Sequence, residues 1–117
     1  MADQRNELRF PVHWRVAIFP EGAGKPFHFG ETYELSPAGA GIYCDYGQPE
    51  NTTFLLHLEI PAMTKDGHGV DLEISARVVH LSLNSQHGFR IGVLFKQFKD
   101  NGKALLVQAL TQRFQPK

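Results

Sequence analysis

Residues 70–78 read Val-Asp-Leu-Glu-Ile-Ser-Ala-Arg-Val, and this stretch decides the fold class. Apolar and polar side chains alternate through it without a break. Successive side chains of a β-strand point to opposite faces, so the pattern predicts a strand with one buried face and one solvated face. The apolar face consists of Val70, Leu72, Ile74, Ala76 and Val78.

Five other segments have the same character. They are short, rich in β-branched and aromatic residues, and bounded by Gly, Pro or Asn. We therefore expect a mainly β protein with six strands. An antiparallel sheet closed into a barrel is favoured, because closure removes the exposed edges that promote aggregation. The other five predicted strands are residues 12–19, 27–35, 40–46, 54–60 and 89–95.

The C-terminal segment has a different period. Its apolar residues recur at helical spacing, and the preceding residues 100–101 are Asp-Asn, either of which suits a helix N-cap. We expect one C-terminal helix that covers a mouth of the barrel. The apolar positions at helical spacing are Leu106, Val107, Leu110 and Phe114.

Composition limits the classes of function. The chain has 117 residues, enough for one domain, and its 42% apolar and 21% charged residues are ordinary for a soluble globular protein. The formal net charge is zero, so no global positive field favours nucleic acid or acidic membranes. We expect no nucleic-acid partner, and any anion site must be local.

The compartment is indicated by the single cysteine and the polar N-terminus. Cys44 excludes an intramolecular disulfide and a cysteine-based zinc cluster within one chain. Residues 1–8 lack the apolar core of a signal peptide, and no run approaches membrane-spanning length. A cytoplasmic protein without membrane insertion is expected.

Two polar clusters carry the functional signal. Residues 5–9 read Arg-Asn-Glu-Leu-Arg and residues 34–39 read Glu-Leu-Ser-Pro-Ala-Gly. In this order they resemble the two-part signature of the PilZ domain, an Arg-x-x-x-Arg pair followed by an Asp/Asn-x-Ser-x-x-Gly turn. Arg5, Arg9, Ser36 and Gly39 match the signature, whereas Glu34 stands where the family normally has Asp or Asn. The resemblance covers roughly residues 5–114 and includes segments 10–12, 40–43 and 89–95.

The resemblance implies a fold and a function. The fold would be a six-stranded antiparallel β-barrel of residues 9–117 with a C-terminal α-helix, preceded by a flexible N-terminal arm of residues 1–8. The arm would carry the first motif arginine, Arg5. The function would be that of a receptor, not an enzyme, which binds cyclic di-GMP without a cofactor. Ligand binding would order the arm, and the protein would signal through contact with an unidentified protein partner.

The residue types at these positions suit a guanine dinucleotide. A guanidinium fork meets the O6 and N7 acceptors of guanine, or a phosphate, with two hydrogen bonds. Arg5 and Arg9 can also stack their planar cations on purine rings. The carboxylate of Glu34 can accept hydrogen bonds from guanine N1 and N2, and Ser36 can donate or accept. Gly39 permits a close backbone approach or a positive φ at a tight turn.

Other readings of the same residues stay open. Arginines near a terminus are commonly solvated, and Ser-Pro-Ala-Gly is a good turn without any ligand. With Glu34 at the altered position, a degenerate PilZ adaptor that ignores the nucleotide is the main alternative. A third class is a small barrel that binds single-stranded nucleic acid, but this function favours a basic groove, and the net charge is zero.

The remaining polar and aromatic residues give weaker signals. The six histidines show no pair at metal-ligand spacing. Trp14 and Phe29 could stack on bases, although Trp14 lies in phase with apolar neighbours and is expected in the core. Arg77 and Arg90 either extend the basic surface or pair with Glu73. Cys44, inside a predicted strand, is expected to be a small buried side chain.

Overall fold

Six β-strands and one α-helix form the part of the chain that the computed structural model describes, which is residues 9–20, 28–45, 49–62, 67–84 and 88–113. The predicted flexible arm, residues 1–8, lies outside these described residues, as does Phe114. In chain order the elements are β1 (Arg15–Pro20), β2 (His28–Ser36), β3 (Gly39–Cys44), β4 (Thr53–Ile60), β5 (Val70–Asn84), β6 (Gly88–Phe98) and α1 (Gly102–Arg113).

The strands form a closed barrel in the order β1-β2-β3-β6-β5-β4. Every neighbouring pair is antiparallel. Pairing of β1 with β4 closes the sheet, with Val16 opposite Leu58. The predicted six-stranded antiparallel barrel is confirmed.

Several strand ends differ from the prediction. The first strand begins at Arg15 and not at residue 12, because the backbone of residues 12–14 bonds partly to the side chain of Thr32. The third strand ends at Cys44, two residues early. β5 and β6 are longer than expected and reach Asn84 and Phe98, because they pair with each other as one long hairpin.

The barrel interior contains the apolar face of each strand. Trp14 and Cys44 are 4% and 3% exposed, so the interpretation of both as core side chains is confirmed. Val70 is the exception in the stretch that decided the fold: it begins β5 at the end of the sheet and is exposed. The other four apolar positions of that stretch are buried: Leu72, Ile74, Ala76 and Val78.

Helix α1 packs against the end of the barrel where β4 ends and β5 begins. Its apolar side chains join the core, and the space beside it is lined by Ile60 and Val70. Among the apolar positions at helical spacing, Val107 is 41% exposed, because it lies about 100° around the helix from the buried Leu106. The buried residues of the helix are Gly102, Leu106, Ala109 and Leu110. No helix in the described ranges is long and apolar enough to span a membrane.

Candidate functional site

The segment before β1 is fastened to β2 by two sets of hydrogen bonds. The Phe10 N–H donates to the Leu35 carbonyl at 2.7 Å, and the Leu35 N–H donates to the Phe10 carbonyl at 2.9 Å. The buried Thr32 hydroxyl donates to the Val12 carbonyl at 2.6 Å and accepts from the Trp14 N–H at 2.9 Å. The Thr32 hydroxyl thus has a partner both as donor and as acceptor, and these two hydrogen bonds give the attachment a specific register.

This attachment brings two distant motif residues together. Phe10 and Leu35 form an antiparallel bridge, so Arg9 lies diagonal to Glu34 on the same face of the pair, and its long side chain reaches across. Arg9 Nη1 donates to Glu34 Oε1 at 3.0 Å, across 25 residues of sequence. The two side chains are 50% and 33% exposed. The pair is accessible from solvent, so a ligand can reach both groups.

Ser36 closes the turn between β2 and β3. Its Oγ accepts from the Ala38 N–H at 3.2 Å and lies 3.5 Å from the Gly39 carbonyl. The Ala38 carbonyl in turn accepts from the Phe95 N–H at 2.8 Å, which ties the turn to β6. Ser36 therefore has a structural role in the turn, whatever else it contacts.

Gly39 is required by a close backbone approach and not by a positive φ. A Cβ at this position would lie 2.3 Å from the Val93 carbonyl oxygen on β6, far inside any tolerated contact. Among the described glycines, the one with a positive φ is Gly88. Of the two alternatives considered for the motif glycine, the structure supports the close approach.

A cleft of about 380 Å³ lies on the outside of the barrel across β2, β3, β6 and β5. One cross-strand row runs through it: Glu34 is opposite Gly41, Gly41 opposite Gly92, and Gly92 opposite His80. Residues directly opposite each other face the same side of a sheet, so the two glycines form a low floor between Glu34 and His80. Val79, the extra residue of a bulge in β5, also lines this cleft.

Four of the five predicted site residues line this cleft: Arg9, Glu34, Ser36 and Gly39. The fifth, Arg5, lies outside the described residues. Phe29 does not line the cleft, although it is 65% exposed, and Trp14 is in the core.

Tyr33 also lines the cleft, although it is not among the site residues predicted from sequence. It is the extra residue of a bulge in β2, between the pairs Thr32–Ile42 and Glu34–Gly41. The Tyr33 and Tyr43 ring centroids are 4.7 Å apart. Burial raises the pKa of the Tyr33 hydroxyl, and the charge of Arg90 partly offsets the rise. The phenol is therefore neutral at ordinary pH. The sequence feature that could have identified Tyr33 is its aromatic side chain directly before the motif residue Glu34.

The sequence left open whether Arg77 and Arg90 extend the basic surface or pair with Glu73. The guanidinium carbon of Arg90 lies 5.8 Å from the centroid of the Tyr33 ring, in cation–π range. Glu73, the suggested partner of Arg77 or Arg90, instead has its Oε1 3.3 Å from His57 Nε2.

Within the described ranges, no group of three or more His, Cys, Asp or Glu side chains is arranged to hold a metal ion.

The cleft offers groups for binding: a guanidinium, a carboxylate, an aromatic ring and a glycine floor. The Ser36 hydroxyl is directed at backbone groups of its own turn. Among the described cleft residues, no base lies within hydrogen-bond distance of it, so a nucleophile–base pair is not assembled there.

Solved structures with the same architecture are found, although no family profile and no curated protein matches the sequence. The Bacillus subtilis inhibitor of motility, MotI/DgrA, superposes with a TM-score of 0.75 at 16% identity, over 96% of this chain and 52% of that one. The chain thus spans about half the length of that relative.

Two further solved structures are isolated PilZ domains. The PilZ domain of Escherichia coli YcgR, solved with c-di-GMP, gives a TM-score of 0.63 at 14% identity over 95% of this chain and 91% of that one. The PilZ domain of CeSA from a cellulose-synthesizing bacterium gives 0.60 at 14% identity over 91% of this chain and 97% of that one. At such identities the likeness establishes a shared fold.

Proposed function

From this PilZ-like fold, we propose that the protein is a receptor for cyclic di-GMP that signals through contact with a protein partner and catalyses no reaction. The observation that carries the proposal is the meeting of two separate sequence clusters. Arg9 and Glu34 pair on the wall of one cleft, which Ser36 and Gly39 also line. An unrelated surface arginine and an unrelated turn would have no reason to share a cleft.

The chemistry of the cleft supports a guanine nucleotide. The guanidinium of Arg9 can meet guanine O6 and N7, or a phosphate, with two hydrogen bonds. The carboxylate of Glu34 can accept from guanine N1 and N2. Gly92 adds no side chain to the cleft floor that would exclude a flat ligand, and the tip of the Tyr33 ring covers Gly41. Because Arg9 and Glu34 neutralise each other, a doubly anionic ligand needs another cation, and the motif supplies Arg5 as a candidate.

We propose that the ligand orders the arm of residues 1–8 over the barrel and so brings Arg5 to the cleft. The new surface would then contact the partner. Such a receptor would act in the bacterial cytoplasm. Amide hydrogen exchange tests the switch: residues 3–9 should become protected in saturating cyclic di-GMP. Equal exchange with and without ligand would refute the switch but not the binding.

Calorimetric titration tests the receptor proposal directly. Cyclic di-GMP should give a saturable heat and a defined stoichiometry, whereas cyclic di-AMP should bind much more weakly, because adenine has no O6 acceptor. An absence of heat with cyclic di-GMP, from a protein that circular dichroism shows to be folded, would reject the proposal.

The second candidate is a PilZ-like adaptor that does not bind the nucleotide. One observation favours it: Glu34 replaces the usual Asp or Asn and already occupies Arg9 in an ion pair. In this case the shared fold would serve protein contact alone. The same titration separates the two candidates, since the adaptor gives no heat with any nucleotide.

A further inference from the structure

Tyr33 occupies the candidate cleft, and the receptor proposal gives it no role. As the extra residue of a bulge, it is outside the cross-strand pairing that fixes Thr32 opposite Ile42 and Glu34 opposite Gly41. Bulges recur next to functional sites because they re-aim one side chain without altering the rest of the strand. Here the re-aimed side chain is an aromatic ring that lines the cleft.

The ring is supported by three neighbours. Its tip lies over Gly41, so close that a Cβ there would be 2.3 Å from Tyr33 Cζ. The Tyr43 ring packs beside it with an interplanar angle of 34°, and the Arg90 guanidinium carbon is 5.8 Å from the Tyr33 centroid. A ring already held in place loses little conformational freedom when a ligand packs on it.

We propose that Tyr33 is the surface on which one purine base of the ligand stacks. The inference rests on the proposed function and deepens it, because it assigns recognition of the base face to Tyr33 and of the base edge to Arg9 and Glu34. Aromatic side chains are common platforms for bases, since every base has a π-face. A neutral phenol beside the cleft also adds no negative charge that would repel the phosphates.

The test compares wild type, Tyr33→Phe and Tyr33→Leu by calorimetry with cyclic di-GMP. Tyr33→Phe keeps the ring and should bind within about twofold of wild type, whereas Tyr33→Leu should bind about 5- to 150-fold more weakly. Stacking also has a spectroscopic signature: the guanine H8 proton resonance should move upfield on binding to wild type and to Tyr33→Phe. Tyr33→Leu binding like wild type would overturn the assignment.

A further variant separates stacking from general damage. Phe29→Leu makes the same change at an exposed ring outside the cleft, and binding should stay within about twofold of wild type. If Tyr33→Leu does not fold, the chemical shift of guanine H8 in the wild-type complex still tests the proposal. An H8 resonance that does not move on binding would overturn the stacking.

Guanosine and adenosine monophosphates serve as additional probes, so that the two proposals can fail separately. Binding that Arg9→Ala removes and Tyr33→Leu preserves would reject stacking and keep the receptor. Binding of a monophosphate but not of cyclic di-GMP, with dependence on Tyr33, would reject the receptor and keep stacking. If none of the three nucleotides binds to wild type, both proposals are overturned.

Discussion

Arg9 Nη1 lies 3.0 Å from Glu34 Oε1, although the two residues are 25 positions apart. The contact exists because the antiparallel bridge between Phe10 and Leu35 puts the two preceding residues on the same face, one diagonal to the other. With Arg9 half exposed, an ion pair of this kind contributes at most about 1 kcal/mol to stability. A ligand can therefore replace Glu34 as the partner of Arg9, or Arg9 as the partner of Glu34, with little loss of free energy.

Arg9→Ala separates binding from folding. We expect binding of cyclic di-GMP to fall below detection, since the variant loses the bidentate donor. The thermal midpoint should shift by no more than about two degrees, because the surface ion pair contributes little. Calorimetry and a melting curve measure the two effects. Arg15→Ala is the matched control, an exposed arginine on β1 outside the cleft, and should bind normally.

Gly39→Ala should damage the fold as well as the site. The added Cβ meets the Val93 carbonyl oxygen, a backbone atom that cannot turn away. We expect the free energy of unfolding to fall by about 1 to 3 kcal/mol, as for other overpacked positions. Urea denaturation measures it. Gly92→Ala, in the same cleft, is the control: its Cβ would lie 3.5 Å from His80 Cβ, an ordinary contact. Equal stability of both variants would contradict the close-approach role.

His28 should make the protein less stable in acid. It is buried, and burial lowers the pKa of its imidazole below 6.5, with a smaller opposing effect from Asp45. The unfolded chain therefore takes up the proton first as pH falls. The contribution of the neutral His28 imidazole to the free energy of unfolding is complete above about pH 6.5. It is lost as pH falls through the pKa that His28 has in the folded state. Urea denaturation at pH 8 and pH 5 should show the loss, and His28→Gln should reduce it. An unchanged pH dependence in the variant would assign the loss to other groups.

The barrel was predictable from sequence because local patterns encode it. Residues 70–78 alternate cleanly, and turn-forming residues separate the strands. The exact strand ends were not predictable, because pairing determines them: β5 continues to Asn84 since β6 is opposite it. Likewise, helical spacing identified α1 but did not reveal that Val107 is exposed, since packing decides which side of a short helix is buried.

The site was predictable only as far as its motif residues. Ser36 and Gly39 adjoin one turn, so their proximity follows from the sequence. The contact of Arg9 with Glu34 depends on a long-range backbone bridge, and the position of Tyr33 depends on a bulge between β2 and β3. Both are properties of register between strands. A single sequence carries little information about such register.

Glu34 is the position at which the receptor and the adaptor differ most. In the receptor it holds Arg9 on the cleft wall and offers its carboxylate to guanine N1 and N2. Glu34→Ala removes both contributions. We therefore expect the dissociation constant for cyclic di-GMP to rise about 5- to 150-fold, equivalent to about 1 to 3 kcal/mol. Calorimetry at two salt concentrations measures it.

Glu34→Asp is the matched control, because it keeps the charge and shortens the side chain by one methylene to the length usual in the PilZ signature. It should bind as tightly as wild type or more tightly, since a shorter side chain loses less rotamer freedom on binding. Tighter binding by Glu34→Ala, with the gain reduced by added salt, would instead mean that Glu34 only repels the phosphates. If neither wild type nor Glu34→Asp binds the nucleotide, the adaptor replaces the receptor, because restoring the usual side chain would then have restored nothing.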